Sequence, residues 1–241
     1  MKSADRPPPT SPLILAFDCA CQALSVAVAR GDKILADHYE SRSQGQAARL
    51  APTVQEVLRK AQVRAAELDL IGVTVGPGSF TGIRIGLAFA RGLALALSKP
   101  LAARSTFDAV TDALPPDQRD LQQTLVAAID SKREEIFLRV GVAAPVVQRP
   151  LDAVGSLARG RYGLVGDAAP DLMLAFAQLG RQDECVVLAS APPRASAFAG
   201  VLARQGVETW REHNQREGLP QPIYLRPPDV TLGKHKPVPA A

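Results

Sequence analysis

From Leu13 the chain runs Leu-Ile-Leu-Ala-Phe and closes on Asp18, an unbroken apolar run of the kind that fills a buried strand. Alternation from Ala23 to Ala29, a turn at Arg30-Gly31-Asp32 and an extended run from Lys33 to Glu40 predict that this strand opens an antiparallel meander. Between Ala47 and Ala61 the apolar positions 47, 50, 51, 54, 57, 58 and 61 keep the spacing of one helix face. Pro52 lacks an N–H and is expected to kink that helix or to mark its start. Leu70 to Val75 predicts a buried strand, Gly76-Pro77-Gly78-Ser79-Phe80-Thr81-Gly82 a turn with Ser79 or Thr81 as cap, and Ile83 to Ser98 a helix. Within it Gly82, Gly86, Ala90 and Ala94 recur every fourth residue, a stripe of small side chains along which another backbone can approach closely.

Pro100 ends that helix, Leu101 to Ala103 predicts a further strand, and Ser105 is placed to cap a helix starting near Thr106. Leu125 to Asp130 then repeats the pattern of Leu13 to Asp18, and Ile136 to Val140 reads as the return strand of a second hairpin. The two halves echo each other, as tandem βββαβα lobes would. Beyond them, strands at 162–165 and 185–188 alternate with helices at 168–179 and 196–207. The expected division is a loose tail over 1–12, a first lobe over 13–104, and a second lobe over 105–225. The second lobe's final helix is a candidate to return to the first, and residues 226–241 are a Pro- and Lys-rich tail expected to be disordered.

Composition adds limits. With 241 residues, 46% hydrophobic, 22% charged and a formal charge of +4, the chain has the make-up of an ordinary globular protein. Its three cysteines, Cys19, Cys21 and Cys185, form no Cys-x-x-Cys pair and read as reduced thiols of a cytoplasmic protein. The longest apolar stretch, Ile83 to Leu97, is interrupted by Arg84 and Arg91 and falls short of the roughly 20 residues of a membrane span. No membrane partner is expected. An aromatic content of 5% leaves few stacking surfaces for bases, so the mild basic excess is weak support for direct RNA binding.

The candidate chemistry is sparse. Gly76, Gly78 and Ser79 lie in a glycine turn between strand and helix, where free amides attract phosphate, but the lysine of a P-loop is missing after Gly82. A dinucleotide reading would use the same glycines with Arg104 on a ribose phosphate, yet the opening meander does not belong to that fold. Asp18 and Asp130 each close a strand where a carboxylate can face a hydrated magnesium ion; the alternative is a turn-forming aspartate, and Cys19, Ala20 and Cys21 bring no hydroxyl to a phosphate. His38, His213 and His235 lack metal-site spacing, and neither Ser79 nor any cysteine has a histidine nearby in sequence to act as base. Lys132 to Glu135 reads as a solvated hairpin tip. Two stripes remain, the 47–61 helix and Gly82 to Ala94, which serve either the core or an interface.

Gly76-Pro77-Gly78-Ser79-Phe80-Thr81-Gly82-Ile83-Arg84-Ile85-Gly86 resembles the signature of the bacterial TsaB family, also called YeaZ, of tRNA threonylcarbamoyladenosine biosynthesis. Leu13 to Asp18, Leu50-Ala51-Pro52, Ile129-Asp130-Ser131 and Pro222-Ile223-Tyr224-Leu225-Arg226 extend the likeness over nearly the whole chain. The resemblance implies an α/β fold of two ribonuclease-H-like lobes of the actin, sugar kinase and Hsp70 superfamily, the second lobe reduced. It implies a non-catalytic subunit that activates a TsaD-type transferase, which moves a threonylcarbamoyl group onto N6 of the adenosine adjoining the anticodon, in tRNAs reading codons that begin with A. A TsaE-type ATPase and tRNA join through the complex, and the same surface makes a homodimer when the chain is alone.

The implied interface lies on the first two helices, with Leu50, Val54, Leu58, Gly82, Gly86 and Ala90 as candidates. Asp18, Gly76, Gly78 and Ser79 would form a degenerate nucleotide site. The metal-holding histidines of the catalytic relative are absent from 43–49, so no metal and no catalytic residue is expected. The family's usual Asp-Thr-Ser stands here as Asp18-Cys19-Ala20, so no cofactor is expected on the chain alone, and ATP or ADP with magnesium is assigned, if anywhere, to the partner complex. The peptidase label carried by relatives finds no constellation to support it. The alternatives are a nucleotide-dependent enzyme of the actin-like kinase type and a tRNA-binding module.

Overall fold

The computed structural model describes residues 11–41, 44–119 and 123–226; the tail beyond Arg226 and most of the expected N-terminal tail lie outside them. The opening meander is β1 (Leu13–Asp18), β2 (Ala23–Arg30) and β3 (Lys33–Ser41), followed by α1 (Gln46–Lys60), β4 (Leu70–Thr74), α2 (Phe80–Leu97) and β5 (Leu101–Arg104). A short bridge, α3 (Thr106–Asp112) and α4 (Pro116–Arg119), leads to β6 (Thr124–Asp130), β7 (Ile136–Val140), β8 (Val146–Gln148), α5 (Pro150–Ser156), β9 (Tyr162–Val165), α6 (Ala169–Gln178) and β10 (Cys185–Ala189). Two helices close the described chain, α7 (Ala195–Gln205) and α8 (Val207–Glu217).

The first sheet has the order β3-β2-β1-β4-β5 and the second the matching order β8-β7-β6-β9-β10. In each, the first three strands are antiparallel, and the fourth and fifth add parallel to the first. This is the ribonuclease-H-like arrangement twice over, and the echo between Leu13–Asp18 and Leu125–Asp130 falls on equivalent central strands. The second copy is reduced: β8 has three residues where β3 has nine.

The layers follow from which faces are apolar. On one side of the first sheet, Leu50, Val54, Val57 and Leu58 of α1 and Leu87, Ala90 and Ala94 of α2 pack against Leu15, Phe17, Val26 and Val73. The other side is covered by α7, whose Phe198 and Leu202 meet Ile14, Ala16 and Ala27; Leu202 sits so tightly on Gly72 that a Cβ there would overlap it. Both closing helices therefore pack on the first lobe: the N–H of Ala195 donates to Ser25 Oγ at 2.8 Å, and Asn214 of α8 pairs with the N–H and C=O of Leu101 on edge strand β5 at 2.8 and 3.0 Å. Between the sheets lies α3, with Ala109 toward the first and Phe107 and Val110 toward the second. Ser105 caps it, accepting from the Asp108 N–H at 3.1 Å. Beyond the second sheet, α5 and α6 bury Ala153, Val154, Leu172 and Phe176.

Of the described helices, α2 is the one long and apolar enough to cross a membrane by length and composition. Its Leu87, Ala90 and Ala94 are packed on the first sheet, and Ile83 is buried beside Gly76 of the turn. Pro52 does not break α1, which runs through it with Pro52 on the exposed side.

Candidate functional site

Strands β1 and β6 end side by side at the cleft between the lobes, with Gln22 Nε2 reaching Asp130 Oδ2 at 3.4 Å. Asp18 is fully buried there. Its Oδ1 accepts from the Thr74 hydroxyl and from the Ala20 N–H, and its Oδ2 has no partner. Burial, reinforced by the Asp167 carboxylate, pushes the Asp18 carboxyl up to about 6. Burial likewise holds the Cys19 and Cys21 thiols well above their usual range, so neither is a ready nucleophile.

The glycine turn is occupied by the chain itself. The Ser79 N–H, which would meet a phosphate, donates to the Ala20 carbonyl at 2.6 Å. A Cβ on Gly78 would overlap that carbonyl oxygen, and one on Gly82 would overlap the carbonyl oxygen of Cys19. These glycines admit the Asp18–Cys21 loop to the start of α2. Ser79 caps α2, its Oγ accepting from the Gly82 N–H at 3.2 Å, and the walls around Ser79 carry no histidine. Gly76, with φ +103°, lies 2.6 Å from the Ile223 carbonyl at its would-be Cβ, so the C-terminal segment seals the turn from the other side. That segment bonds Val75 O through the Ile223 N–H at 2.7 Å and lays Tyr224 against Phe80 and Arg84. It ends with Arg226 on Glu135 at 2.6 Å, tying the first lobe to the hairpin tip of the second.

Asp130 is engaged by Lys132 through both the backbone N–H and the ammonium group, while its own N–H donates to Asp167 Oδ1 at 2.9 Å. An internal ammonium thus sits on the carboxylate that a magnesium ion would need. Two cavities meet at Ser79 and Lys132: one of about 120 Å³ bounded by Ala20, Cys21, Gln22, Gln46 and Asp130, and one of about 320 Å³ between Gly78, Phe80, Arg133 and the Ile223–Arg226 segment, the second at the lower end of the roughly 300–1,000 Å³ of ligand clefts. Around them the carboxylate at β1 is buried, the one at β6 is paired with Lys132, and the Ser79 amide is taken. Among the described residues no three His, Cys, Asp or Glu side chains are grouped to hold a metal ion.

Arg104 donates to both oxygens of Asp112, at 2.7 and 2.8 Å, and is not free for a ribose phosphate. His38 faces Glu40 and His213 faces Glu217, far apart in the fold, and His235 lies outside the described residues. Sequence reasoning missed Gln46, buried at the start of α1, whose Nε2 donates to the carbonyls of Cys21 and Ala23 at 3.1 Å each and fixes the loop that fills the glycine turn. A polar residue opening an apolar stripe was the available signal.

The residues expected at an interface lie on the inner faces of α1 and α2. Leu50, Val54, Leu58, Gly82, Gly86 and Ala90 all point inward, from fully buried to 9% exposed, because they are the faces by which α1 and α2 grip their own sheet and the Asp18 loop. The outer faces of the same helices carry a different set of small residues: Ala47, Ala48 and Ala51 on α1, and Ala88, Gly92 and Ala96 at four-residue spacing on α2. Gly92 has open space around it.

Comparison with known proteins fits this geometry. The family model described as TsaD, tRNA N6-adenosine threonylcarbamoyltransferase, matches residues 34–156. The tRNA threonylcarbamoyladenosine biosynthesis protein TsaB of Escherichia coli is 34% identical over 124 residues, 52% of either chain, and that of Bacillus subtilis is 29% identical over 124 residues with the same coverage. This chain thus spans about half the length of the curated relatives it matches. Among solved structures, YeaZ from Pseudomonas aeruginosa superimposes with a TM-score of 0.66 at 25% identity, covering 89% of this chain and all of that one.

Proposed function

Because this chain belongs to the family of TsaD-type tRNA N6-adenosine threonylcarbamoyltransferase domains, and resembles its TsaB (YeaZ) members, we propose that it is a non-catalytic docking subunit in threonylcarbamoyladenosine formation on tRNA. The observation that carries this reading is the self-filled glycine turn. The Ser79 amide, which a phosphate would use, is held by the Ala20 carbonyl, and Asp130, which a magnesium ion would use, by Lys132; both support a chain that acts without a nucleotide of its own. What remains for such a chain is to shape and hold a partner.

The partner is a TsaD-type transferase, which performs the group transfer. It docks on the outer face of α1 and α2, where small side chains let helices approach closely. The same face pairs with a second copy when the transferase is absent. A TsaE-type ATPase and tRNA act through the complex in the cytoplasm, and ATP or ADP with magnesium enters there rather than on this chain alone. Peptidase activity is not part of the proposal, since Ser79 is a helix cap without a base.

The test is reconstitution. Purified chain, TsaD-type and TsaE-type proteins, threonylcarbamoyl-adenylate, ATP and tRNA are mixed, and modified adenosine is measured by mass spectrometry of digested tRNA. Modification is expected only when chain and transferase are both present. Modification by the chain alone, or full activity without it, refutes the proposal, and tight binding of ATP and magnesium by the isolated chain in calorimetry would instead support the kinase-type reading.

A further inference from the structure

We propose that the groove between the C-terminal half of α2 and α8 binds an acidic peptide segment of a partner protein, one that sets a large aliphatic or aromatic side chain between carboxylates. The groove encloses about 400 Å³. Its apolar part is formed by Ala94 and Pro100 at the base, with Leu95, 82% exposed, and Leu219, 42% exposed, on the walls. A leucine presented so openly beside a second one is an unusual surface in an otherwise well-packed lobe. Around this strip stand Arg91, Lys99 and Arg211, and no lining residue is acidic.

The cations are available in different degrees. Lys99 has no ion pair among the described residues, Arg91 gives one N–H to the Pro220 carbonyl at 2.5 Å, and Arg211 has Glu208 one turn away on exposed α8 at 3.1 Å. The wall itself is unusual. No residue of α8 is fully buried, and the helix is held through Asn214 on the β5 edge and a partly buried Trp210. A helix polar on nearly all sides gains little by packing there, and its placement makes sense as one side of a binding groove.

Charge selects among the occupants. Residues 227–241 carry Lys234 and Lys236 against one Asp229, so with His235 neutral this chain's own tail has no excess of carboxylates to offer the rim. A second copy meeting the groove about a two-fold axis would set three cations against the same three. An RNA strand would satisfy the charges, but the lining offers it no aromatic ring and places an apolar strip where phosphates or bases would lie. An acidic segment with one bulky apolar side chain satisfies both the strip and the rim.

The experiment is fluorescence anisotropy on the full chain with three labelled probes: a decapeptide alternating Glu and Leu, its Lys and Leu counterpart, and an oligouridylate. Saturable binding of the acidic decapeptide is expected, weakened about tenfold by the Lys99→Glu, Arg211→Glu double variant and by raised salt, and weakened by Leu95→Asp. Circular dichroism melting of each variant checks that it is folded. No saturation by the acidic peptide up to millimolar concentration, indifference to both variants, or tighter binding of the oligouridylate overturns the proposal.

Discussion

Replacing Asp18 with Asn tests whether the carboxylate at the end of β1 is built to be charged. In the folded chain its pKa is raised from the ordinary 3.8 to about 6, chiefly by burial. Well below 3.8 the group is protonated folded or unfolded and carries no penalty. Above 3.8 the unfolded chain ionises while the folded one stays protonated, so folding loses stability until the pH passes about 6, and by pH 8 the loss is complete. A gap of about two pH units, at about 1.4 kcal/mol each, sets that loss at about 3 kcal/mol. Asp18→Asn keeps Oδ1 for the Thr74 hydroxyl and the Ala20 N–H. It puts an NH2 where Oδ2 now lacks a partner, at a cost of about 1–2 kcal/mol that does not depend on pH. The variant should therefore gain on the wild type by about 2 kcal/mol between pH 4.5 and pH 8, read from urea unfolding followed by circular dichroism. An unchanged difference across that range would refute the raised pKa, and a magnesium-dependent stabilisation of the wild type lost in the variant would show that Asp18 is a working metal ligand.

Gly82→Ala should destabilise by several kcal/mol, about 2–4, because the new methyl overlaps the Cys19 carbonyl, whereas Gly86→Ala meets Val73 Cγ2 at 3.5 Å and should be neutral or stabilising by up to about 1 kcal/mol; thermal melts separate the two. Gly86→Leu would strike Val73 and Cys19 and lower the melting temperature, so it reports on the fold and not on pairing. Arg181→Ala should cost about 3 kcal/mol, since the buried guanidinium holds the carbonyls of Val154, Leu157 and Ala158 at 2.7, 3.0 and 2.6 Å; a loss under about 1 kcal/mol would contradict this. Glu184, drawn down to about 2 mainly by Arg181, contributes stability above pH 4.5 that is lost as pH falls toward 2, and Glu184→Gln should flatten that acid limb of the unfolding profile.

The two-lobe fold was legible because its central strands are written twice, each as an apolar run closed by an aspartate. The amphipathic stripe of α1 was legible too, and Leu50, Val54, Val57 and Leu58 are where it placed them. Alanine was the weak point. Ala47 and Ala51 fit the spacing yet face outward, since a methyl group gains little by burial and does not reveal its side. For the same reason the Gly82-to-Ala94 stripe announced a close approach without saying to what, and the structure answers with the chain's own sheet and first loop. Helix α8 escaped because it is polar on almost every side and is held by an asparagine on a strand edge, an arrangement that leaves no period in the sequence. The filling of the glycine turn is a matter of backbone carbonyls from Cys19 and Ala20, which no side-chain pattern encodes.

The most direct test of the docking claim is sedimentation velocity of the chain mixed with its TsaD-type transferase, wild type against an Ala88→Arg, Gly92→Arg double variant on the exposed face of α2. Gly92 has open space around it and Ala88 is exposed, so the variant should keep the wild-type melting temperature. The account predicts a heterodimer for the wild type and separate boundaries for the variant. A heterodimer of unchanged affinity in the folded variant would contradict it.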